Sequence, residues 1–511
     1  MGTLADARGA PPALRESEGR AVLWLIGGAF LLRVGFAWAL GLGVDESYMV
    51  AAGRMFRFGY FDHPPASWWL SWAAAHLAGT EAPVVVRLPF ILLFALSTWL
   101  MYRLGTEATG DRRAGLWAAV LLNLSPVFSV TTGSWVLPDG PLDCALLGAA
   151  LCLMRGLPGG PAAWRWWLGA GLCAGLALFS KYSAVLTIGG AGIFLLTQPA
   201  QRRWLARPEP YLSAAVAALI FAPVVTWNAA HGWASFAFQG ARAGAAQIRP
   251  LAPLATLGGE ALFVLPWIWL PMMALLVAAL RRGPSAWRSW LLAWLALPPV
   301  VAFALVSAWS SQRVLYHWAA PGYLMLFPLL GDWVARHLGN GHVRRTLIAT
   351  AALIMAVPAV LAAQVRTDLL RPVLAAFVHG RDPDLDGVDW TSLRGQIAAL
   401  GLLDRPGLVV GATNWRDGGK IAYALGPGVP VVILNTDARQ FGFGLTPGDT
   451  IGRDVLILSL DHADRVALEY RTVFNTIEIL PPLTVRLAGH QIATVSAFLG
   501  RRLMAWPPAV D

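Results

Sequence analysis

Long apolar runs alternate with short, arginine-rich polar connections up to about residue 365. A helix needs about 20 apolar residues, at 1.5 Å rise per residue, to cross roughly 30 Å of hydrocarbon. The runs that reach or approach this length predict about eleven transmembrane helices, and the shorter ones are open to being broken helices because they carry Pro and Gly. They lie near 21–43, 84–104, 114–132, 141–155, 166–180, 184–199, 211–228, 256–280, 289–308, 317–335 and 346–364.

The pattern changes after Thr367 to short apolar runs separated by helical patterns, which predicts a small α/β domain. The strand-like runs are Gly407–Gly411, Val429–Leu434, Val455–Leu460 and Thr476–Leu480, and the helical patterns include Lys420–Leu425 and Asp461–Tyr470. The predicted organisation is therefore an inner tail over 1–20, a membrane domain over 21–365 and an outer α/β domain over 366–511.

Composition supports the membrane assignment. The chain is 57% hydrophobic and 13% charged, whereas soluble domains carry about 25% charged residues. Its net charge of +10 would suggest a nucleic-acid partner only if the basic residues clustered on a soluble face, and here they fill short loops between apolar runs. The three cysteines lie in apolar runs and predict buried thiols without a metal or disulfide framework.

The positive-inside rule orients the spans, because most arginines fall in inner loops when the N-terminus is placed inside. This orientation brings the conspicuous polar residues of the membrane part to the outer face. They are Asp45, Glu46, Asp62, His63, Asp139, Lys181, His231, Arg313 and His317.

Two strings in the first outer loop are the most specific in the chain: Val44-Asp-Glu-Ser-Tyr-Met49 and Gly59-Tyr-Phe-Asp-His-Pro-Pro65. Together they resemble the first outer loop of the protein O-mannosyltransferase superfamily. These are GT-C membrane glycosyltransferases that use polyprenyl-phosphate sugars, and their bacterial branch includes the aminoarabinose and galacturonic acid transferases of lipid A. The Ser-Lys-Tyr segment at 180–182, the stretch Thr226–Arg242 and the segment at 313–323 resemble that branch as well.

The resemblance implies a GT-C fold with amphipathic outer-loop helices and an inverting sugar transfer at the periplasmic face of a bacterial inner membrane. The donor would be a polyprenyl-phosphate sugar. The acceptor would be a hydroxyl or phosphate of lipid A or lipopolysaccharide, another glycan or a protein. The sugar and the acceptor are not specified by the sequence.

Asp45 and Glu46 are the first candidate catalytic residues. Transfer to a hydroxyl needs a carboxylate near the acceptor, either to take its proton or to hold a divalent cation such as Mg²⁺ or Mn²⁺. In the resembled family the first acidic residue of this loop is the proposed base, and that role carries over to Asp45. The alternative is that Asp45 caps an amphipathic helix running from Glu46 to about Phe58.

Tyr60, Asp62 and His63 are expected to contact substrate. In the aminoarabinose transferases the corresponding string ends in Glu-Lys-Pro, and its lysine meets the lipid phosphate. Asp62 and His63 occupy those two places here, and His63 carries charge only if a neighbouring anion raises its pKa. The alternative is a re-entrant turn, with Tyr60 and Phe61 at the membrane interface.

Asp139 is a further candidate catalytic residue, and Lys181 is a candidate contact for the substrate phosphate. Asp139 matches the second acidic outer-loop position of the family, with Asp143 as the alternative, and it could instead cap the helix that follows. Lys181 is one of two lysines in the chain. Its compact charge beside Tyr182 suits a phosphate oxygen, whereas the alternative is a lysine that snorkels from a helix end. A divalent cation at Asp45 and Asp139 is a further expectation.

Polar residues at helical spacing follow Thr226, on an aromatic background that fits either a sugar or headgroup surface or an interfacial helix. They are Asn228, His231, Gln239 and Arg242. Arg313 is expected to neutralise the departing phosphate, with Tyr316 and His317 beside it. Arg33 lies in the middle of a span and must be paired or face water.

Two other functions remain open at this point. A lipid or polyprenyl-sugar flippase would place polar residues near the membrane midplane, often in repeated halves, and no repeat is evident. A non-catalytic scaffold would leave the carboxylates as helix caps, and Asp45→Asn would then leave function intact.

Overall fold

A computed structural model describes residues 12–242, 244, 247–373, 382–460 and 463–507. The helices of the membrane part follow the apolar runs of the sequence. They are α1 (Pro12–Ala39), α2 (Val44–Ala52), α3 (Ala66–Ala78), α4 (Pro83–Thr109), α5 (Arg112–Leu124), α6 (Asp139–Gly156), α7 (Ala163–Ser180), α8 (Ala184–Thr197), α9 (Pro208–Ala230), α10 (Ala234–Ala241), α11 (Ala252–Val264), α12 (Pro266–Arg282), α13 (Trp287–Val306), α14 (Ala320–Leu324), α15 (Phe327–His337) and α16 (Gly341–Thr367).

Within the described residues, five helical stretches are long and apolar enough to cross a membrane. The count is six if Ala184–Thr197 and Pro199–Ala206, which meet at a 106° bend, form one span. The stretches are Ser17–Ala39, Pro83–Thr109, Pro208–Ala230, Pro266–Val306 and Gly341–Thr367. The protein is thus a polytopic helical membrane protein.

Proline divides three of the predicted spans. The run near 256–280 is split between α11 and α12 at Leu265, whose φ of 84° breaks the helix directly before Pro266. The run near 114–132 becomes α5 and a short π-helix, Val127–Thr132, which follows Pro126. The run near 317–335 begins with a 3₁₀ turn and continues as α14 and α15, each with proline in its first turn.

Close packing of the membrane helices depends on small residues, because lipid gives helices little hydrophobic reason to associate. Gly171 and Gly175 lie one turn apart on α7 and face α9. A Cβ at Gly171 would come within 2.4 Å of the Ser213 carbonyl oxygen, and one at Gly175 within 3.0 Å of Ala217 Cα. Glycine at both positions therefore permits backbone contact between α7 and α9.

The described residues divide into two compact units. The first comprises residues up to Val34, Phe58–Ser67 and Leu88–Ala356, and its apolar core is built mainly by helices from α4 to α15. The second comprises Gly35–Arg57, Trp68–Arg87 and the described residues from Val357 onward. The short helix α2, which carries Asp45, thus belongs to the same unit as the C-terminal part of the chain.

A five-stranded sheet in the order β2-β1-β3-β5-β4 organises the second unit. Its strands are β1 (Val409–Ala412), β2 (Val431–Ile433), β3 (Val455–Ser459), β4 (Phe474–Leu487) and β5 (His490–Leu503). Strand β1 pairs in parallel with β2 and β3, and β5 pairs antiparallel with β3 and β4. The edge strand β4 contains Pro481 and Pro482, and its register shifts between Leu480 and Leu483 because proline cannot donate to the ladder.

The remaining helices of this unit connect or flank the strands. They are α17 (Ser392–Ala399), α18 (Trp415–Leu425), α19 (Pro447–Thr450) and α20 (Ala463–Tyr470). The four predicted strand-like runs correspond to β1–β4, whereas β5 was not predicted. Helix α18 joins β1 to β2, and its N-cap is Asn414, whose side chain accepts a hydrogen bond from Asp417 N.

Candidate functional site

Helix α2 presents Asp45 in its first turn. The N-cap is Gly43, whose amide donates a 2.9 Å hydrogen bond to Glu46 Oε2. The reading of Asp45 as the N-cap is therefore wrong, and the helix ends at Ala52 rather than near Phe58. Both carboxylates of this turn lie where the helix dipole favours negative charge.

Asp45 is exposed, and its carboxylate forms no hydrogen bond with the residues that the structure describes. Solvent reaches it although protein surrounds much of the side chain. Desolvation by that protein raises the pKa of Asp45 above its ordinary value, and the nearby charges of Arg416 and Arg439 oppose the rise. An accessible carboxylate with a raised pKa is suited to accepting a proton.

Glu46, in contrast, is buried and engaged. Arg87 donates from Nε to Glu46 Oε1 at 2.8 Å and from Nη2 to Glu46 Oε2 at 2.6 Å. The guanidinium also donates to the carbonyls of Leu40 and Gly41 at 2.8 and 2.7 Å. Since both oxygens of Glu46 are occupied by these contacts, its carboxylate holds the start of α2 in place.

The first unit contains a buried ion pair between Asp139 and Lys181. Lys181 Nζ donates to Asp139 Oδ1 at 2.8 Å. Asp139 is the first residue of α6, and Lys181 follows the last residue of α7 in an extended conformation. Asp143 is also buried, one turn further along α6.

Two histidines predicted to contact substrate lie close enough to Asp139 to interact with its charge. They are His63 and His317, and both are partly buried. Segments that are far apart in sequence thus meet around one ion pair within this unit. Sequence reasoning singled out each of these four residues, but the ionic contact between Asp139 and Lys181 was not anticipated.

The Gly59–Pro65 segment packs against the stretch that follows Thr226. A Cβ at Gly59 would lie 2.4 Å from Trp227 Cγ, so only glycine fits there. Phe61 and Phe238 have ring centroids 4.7 Å apart, and Gln239 donates a hydrogen bond to the Asp62 carbonyl oxygen. The side chains of Tyr60 and Asp62 are buried, so they stabilise the conformation of this loop.

Asn228 and His231 serve the turn at the end of α9. The Asn228 side chain accepts from the amides of Ser235 and Phe236 at 3.1 and 3.2 Å, and His231 Nδ1 lies 2.8 Å from the Trp227 carbonyl oxygen. The His231 ring also stacks on Trp227. Both residues therefore shape the turn from which α10 starts.

Tyr182, next to Lys181, shares a 2.6 Å hydrogen bond with Ser235 Oγ. This contact ties the Lys181 segment to α10. Ser235 was not singled out in the sequence, where a serine in an aromatic stretch gives little signal.

The predicted arginines are held by aromatic rings. Arg242 lies over Phe238, with its guanidinium carbon 4.6 Å from the ring centroid. Arg313 is exposed and donates from Nη2 to the Tyr316 hydroxyl at 3.0 Å. The Tyr316 ring packs directly on Gly259. Arg313 is thus accessible, and its orientation is set by Tyr316.

Among the described residues, the buried ionisable side chains that sequence reasoning did not assign to a site include Arg87, Glu260 and Lys420. Glu260 in α11 accepts a hydrogen bond from the Tyr323 hydroxyl. A charged residue inside an apolar run is the signal that could have found Arg87 and Glu260. Arg33, which was singled out, donates to the Ala29 carbonyl and lies over the Phe94 ring.

The donor sets around Asp45 and Asp139 do not fit the expected divalent cation. Among the described residues, no group of three or more His, Cys, Asp or Glu side chains is placed to hold a metal. Lys181 Nζ already donates a hydrogen bond to Asp139 Oδ1, and the positive charges of Arg416 and Arg439 act on the Asp45 carboxylate.

Comparison with known proteins supports the resemblance found in the sequence. The family model for dolichyl-phosphate-mannose-protein mannosyltransferases matches residues 62–227, which is less than half of the chain. The lipid A galacturonosyltransferase RgtD of Rhizobium johnstonii is 24% identical over 296 residues. That alignment covers 55% of this chain and 58% of the relative, so it spans little more than half of the relative's length.

The fold is similar to that of ArnT from Cupriavidus metallidurans. The apo structure of ArnT gives a TM-score of 0.63 at 14% identity and covers 93% of this chain and 97% of that chain. The structure of ArnT bound to undecaprenyl phosphate gives 0.61 at 15% identity with the same coverage. These structures confirm the expected fold, and the family model and RgtD support the resemblance to the bacterial branch of the O-mannosyltransferase superfamily.

Proposed function

We propose that this protein is a membrane glycosyltransferase that moves a sugar from a polyprenyl-phosphate donor to a hydroxyl or phosphate of an envelope acceptor. The observation that carries the proposal is the Asp139–Lys181 pair with His63 and His317 around it, in a chain with the fold of ArnT. The lipid A acceptor named for the relative in Rhizobium johnstonii makes a lipid A or lipopolysaccharide acceptor the first choice.

Lys181 is the proposed contact for the donor phosphate. An ammonium has three donors, and the structure assigns one of them to Asp139. The others are available to oxygens of a phosphate, with Asp139 holding the ammonium in a fixed direction. His63 and Arg313 are proposed to add hydrogen bonds or charge as the phosphate departs, since stabilising developing charge supplies much of an enzyme's acceleration.

Asp45 is the proposed general base when the acceptor is a hydroxyl. Its carboxylate takes the hydroxyl proton while the acceptor oxygen attacks the anomeric carbon. The bond from that carbon to the phosphate oxygen breaks, and its electron pair leaves with the polyprenyl phosphate. One displacement of this kind inverts the anomeric centre. An ionised phosphate acceptor would attack in the same way without proton removal.

The other residues predicted for the substrate site are proposed to have supporting roles. Tyr60, Asp62 and His231 are proposed to shape the loops that face substrate, because Tyr60 is buried and the other two make hydrogen bonds within these loops. Glu46 is proposed to position Asp45 through Arg87 rather than to react. Arg242, Tyr182, Tyr316 and His317 stay candidate sugar or headgroup contacts.

We further propose a bacterial inner-membrane location with the reacting groups on the periplasmic side, about eleven membrane crossings and a C-terminal α/β domain from residue 366. The arginine distribution along the chain supports the orientation. Labelling of single cysteines introduced next to Asp45 with a membrane-impermeant reagent in intact spheroplasts tests the side. Labelling only after the membrane is permeabilised would contradict it.

The function is tested by mass spectrometry of envelope lipids and glycans from cells with and without the gene. The expected result is one added hexose or hexuronic acid, or a related sugar, on a defined acceptor that disappears with the gene. Restored product from the wild-type gene but not from Asp45→Asn would support the assignment of the base. Unchanged lipids and glycans, with altered polyprenyl-sugar distribution across the membrane, would favour the flippase instead.

A further inference from the structure

The connection between α1 and α2 is hydrogen-bonded at every carbonyl. Arg87 donates to the carbonyls of Leu40 and Gly41, and Ser47 N donates to the Gly43 carbonyl at 2.8 Å. The carbonyl of Leu42 accepts from Lys420 Nζ at 2.5 Å and, over a longer distance of 3.3 Å, from Ser47 Oγ. Residues 40–43 of the connection lead directly into the helical turn that carries Asp45, so they set the direction in which the Asp45 carboxylate points.

Lys420 reaches this connection from α18, far away in the sequence. Its side chain is 2% exposed, and Nζ donates also to the Val388 carbonyl oxygen at 3.0 Å. Helix α18 approaches α2 closely, because a Cβ at Gly419 would lie 2.8 Å from Tyr48 Cα. Residues of the C-terminal part thus contact α2 through Gly419 and the connection before α2 through the ammonium of Lys420.

A buried ammonium is costly unless its hydrogen bonds are made. Burial lowers the pKa of Lys420 to about 8, and the charge of Glu46 opposes this change. The acceptors that compensate Lys420 are two backbone carbonyls, one in the α1–α2 connection and one before α17. The side chain therefore joins two loops, and neither acceptor belongs to the sheet.

We propose that Lys420 is a positioning residue for Asp45, acting through the Leu42 carbonyl, and that the C-terminal part of the chain is thereby required for turnover. This inference rests on the proposed function of Asp45 as the base. Loss of the Lys420 contact leaves the Leu42 carbonyl with only the longer hydrogen bond from Ser47 Oγ, at 3.3 Å, and lets the first turn of α2 shift. Small displacements of a reacting group lower turnover strongly, whereas the donor phosphate contacts of Lys181 are left intact.

The test compares kcat and KM for Lys420→Met with those of wild type in lipid nanodiscs, using a synthetic polyprenyl-phosphate sugar and purified acceptor. Lys420→Met is expected to lower kcat about 10- to 100-fold, with KM for the donor within about twofold of wild type. Lys420→Arg, which keeps charge and donors, is expected to retain more of kcat than Lys420→Met. The exposed Arg465, in α20, supplies the matched control Arg465→Met, for which we expect wild-type kinetics.

A kcat for Lys420→Met equal to that of wild type would overturn the inference, as would a rise in donor KM with unchanged kcat. If Lys420→Met does not fold, Lys420→Gln takes its place, and a wild-type kcat for that variant overturns the inference equally. Hydrogen exchange of the amides of residues 42–47 gives an independent readout. We expect faster exchange there in the Lys420 variant and not in Arg465→Met.

The two proposals fail in distinguishable ways. No transfer by the wild-type protein from any polyprenyl-phosphate sugar would refute the proposed function, while faster exchange at 42–47 would still show that Lys420 holds the connection. Transfer by wild type that is lost in Asp45→Asn but unchanged in Lys420→Met would uphold the function and refute the positioning role.

Discussion

Lys181 Nζ lies 2.8 Å from Asp139 Oδ1, and both side chains are largely withdrawn from solvent. Deleting one partner of such a pair leaves the other as an uncompensated buried charge, which typically costs about 3–5 kcal/mol. A bound phosphate changes this situation, because it supplies a second anion for the lysine. The pair is therefore expected to be most stable when the donor is bound.

Lys181→Ala is expected to weaken binding of the polyprenyl-phosphate donor by at least tenfold and to change acceptor binding little, because the ammonium is assigned to the phosphate. Isothermal titration or fluorescence anisotropy with a labelled lipid phosphate measures donor binding. The KM for the acceptor at saturating donor reports on acceptor binding. Equal losses for donor and acceptor would instead identify Lys181 as a structural residue.

A double-mutant cycle on the same pair separates charge from packing. Asp139→Asn and Lys181→Met are each expected to lower the thermal midpoint of unfolding. The double variant is expected to lose less stability than the sum of the losses of the two single variants. The physical reason is that the double variant buries no unpaired charge. Additive losses within about 0.5 kcal/mol would show that the two side chains do not interact in the folded protein.

The acidic limb of the rate profile follows from the environment of Asp45. Desolvation raises its pKa, so the carboxylate becomes protonated at a higher pH than an ordinary aspartate and kcat/KM falls as pH is lowered through that raised pKa. Arg416→Gln removes a charge that opposes the rise, so the limb is expected to move to higher pH. The control variant Arg465→Gln should leave the pH of the acidic limb unchanged. A limb in the ordinary range of aspartate, or no response to Arg416→Gln, would contradict this account.

The contact between α18 and α2 predicts a strong effect of Gly419→Ala. A methyl group there would meet the backbone of Tyr48 at 2.8 Å, so we expect a loss of about 1–3 kcal/mol, which is typical of overpacking. Gly395 in α17 is the matched control, since a Cβ at that position meets nothing within 4 Å. Gly395→Ala should be neutral or stabilising. Thermal unfolding in detergent compares the two variants, and equal midpoints would disprove the close approach.

The sequence predicted helices and strands well wherever apolar runs decide the structure. The runs ending at Gly411, Leu434 and Leu460 correspond to β1, β2 and β3, because buried strands in a sheet are nearly continuous in apolar residues. Strand β5 was missed because threonine, serine and alanine weaken the apolar pattern over residues 492–499, and Gly500 and two arginines follow at its C-terminal end. Breaks such as that at Leu265 depend on local backbone strain beside a proline, which hydropathy alone does not reveal.

The candidate site was predictable in its residues and less so in its contacts. Asp45, Asp139 and Lys181 could be named from their positions next to apolar runs and from the resemblance. The pairing of Lys181 with Asp139, and the burial of Glu46 against Arg87, depend on helix packing between distant segments. Lys420 could not be assigned to Leu42 from sequence, since nothing local links the two residues.

The central claim is tested most directly by sugar transfer with purified wild-type protein and Asp45→Asn, each reconstituted with a polyprenyl-phosphate sugar and a hydroxyl acceptor. Release of polyprenyl phosphate and formation of the glycosylated acceptor are followed together. We predict that wild type forms both products, and that Asp45→Asn binds the donor normally but reacts about 10²- to 10⁴-fold more slowly, as expected for loss of a general base. Wild-type turnover by Asp45→Asn would contradict the account.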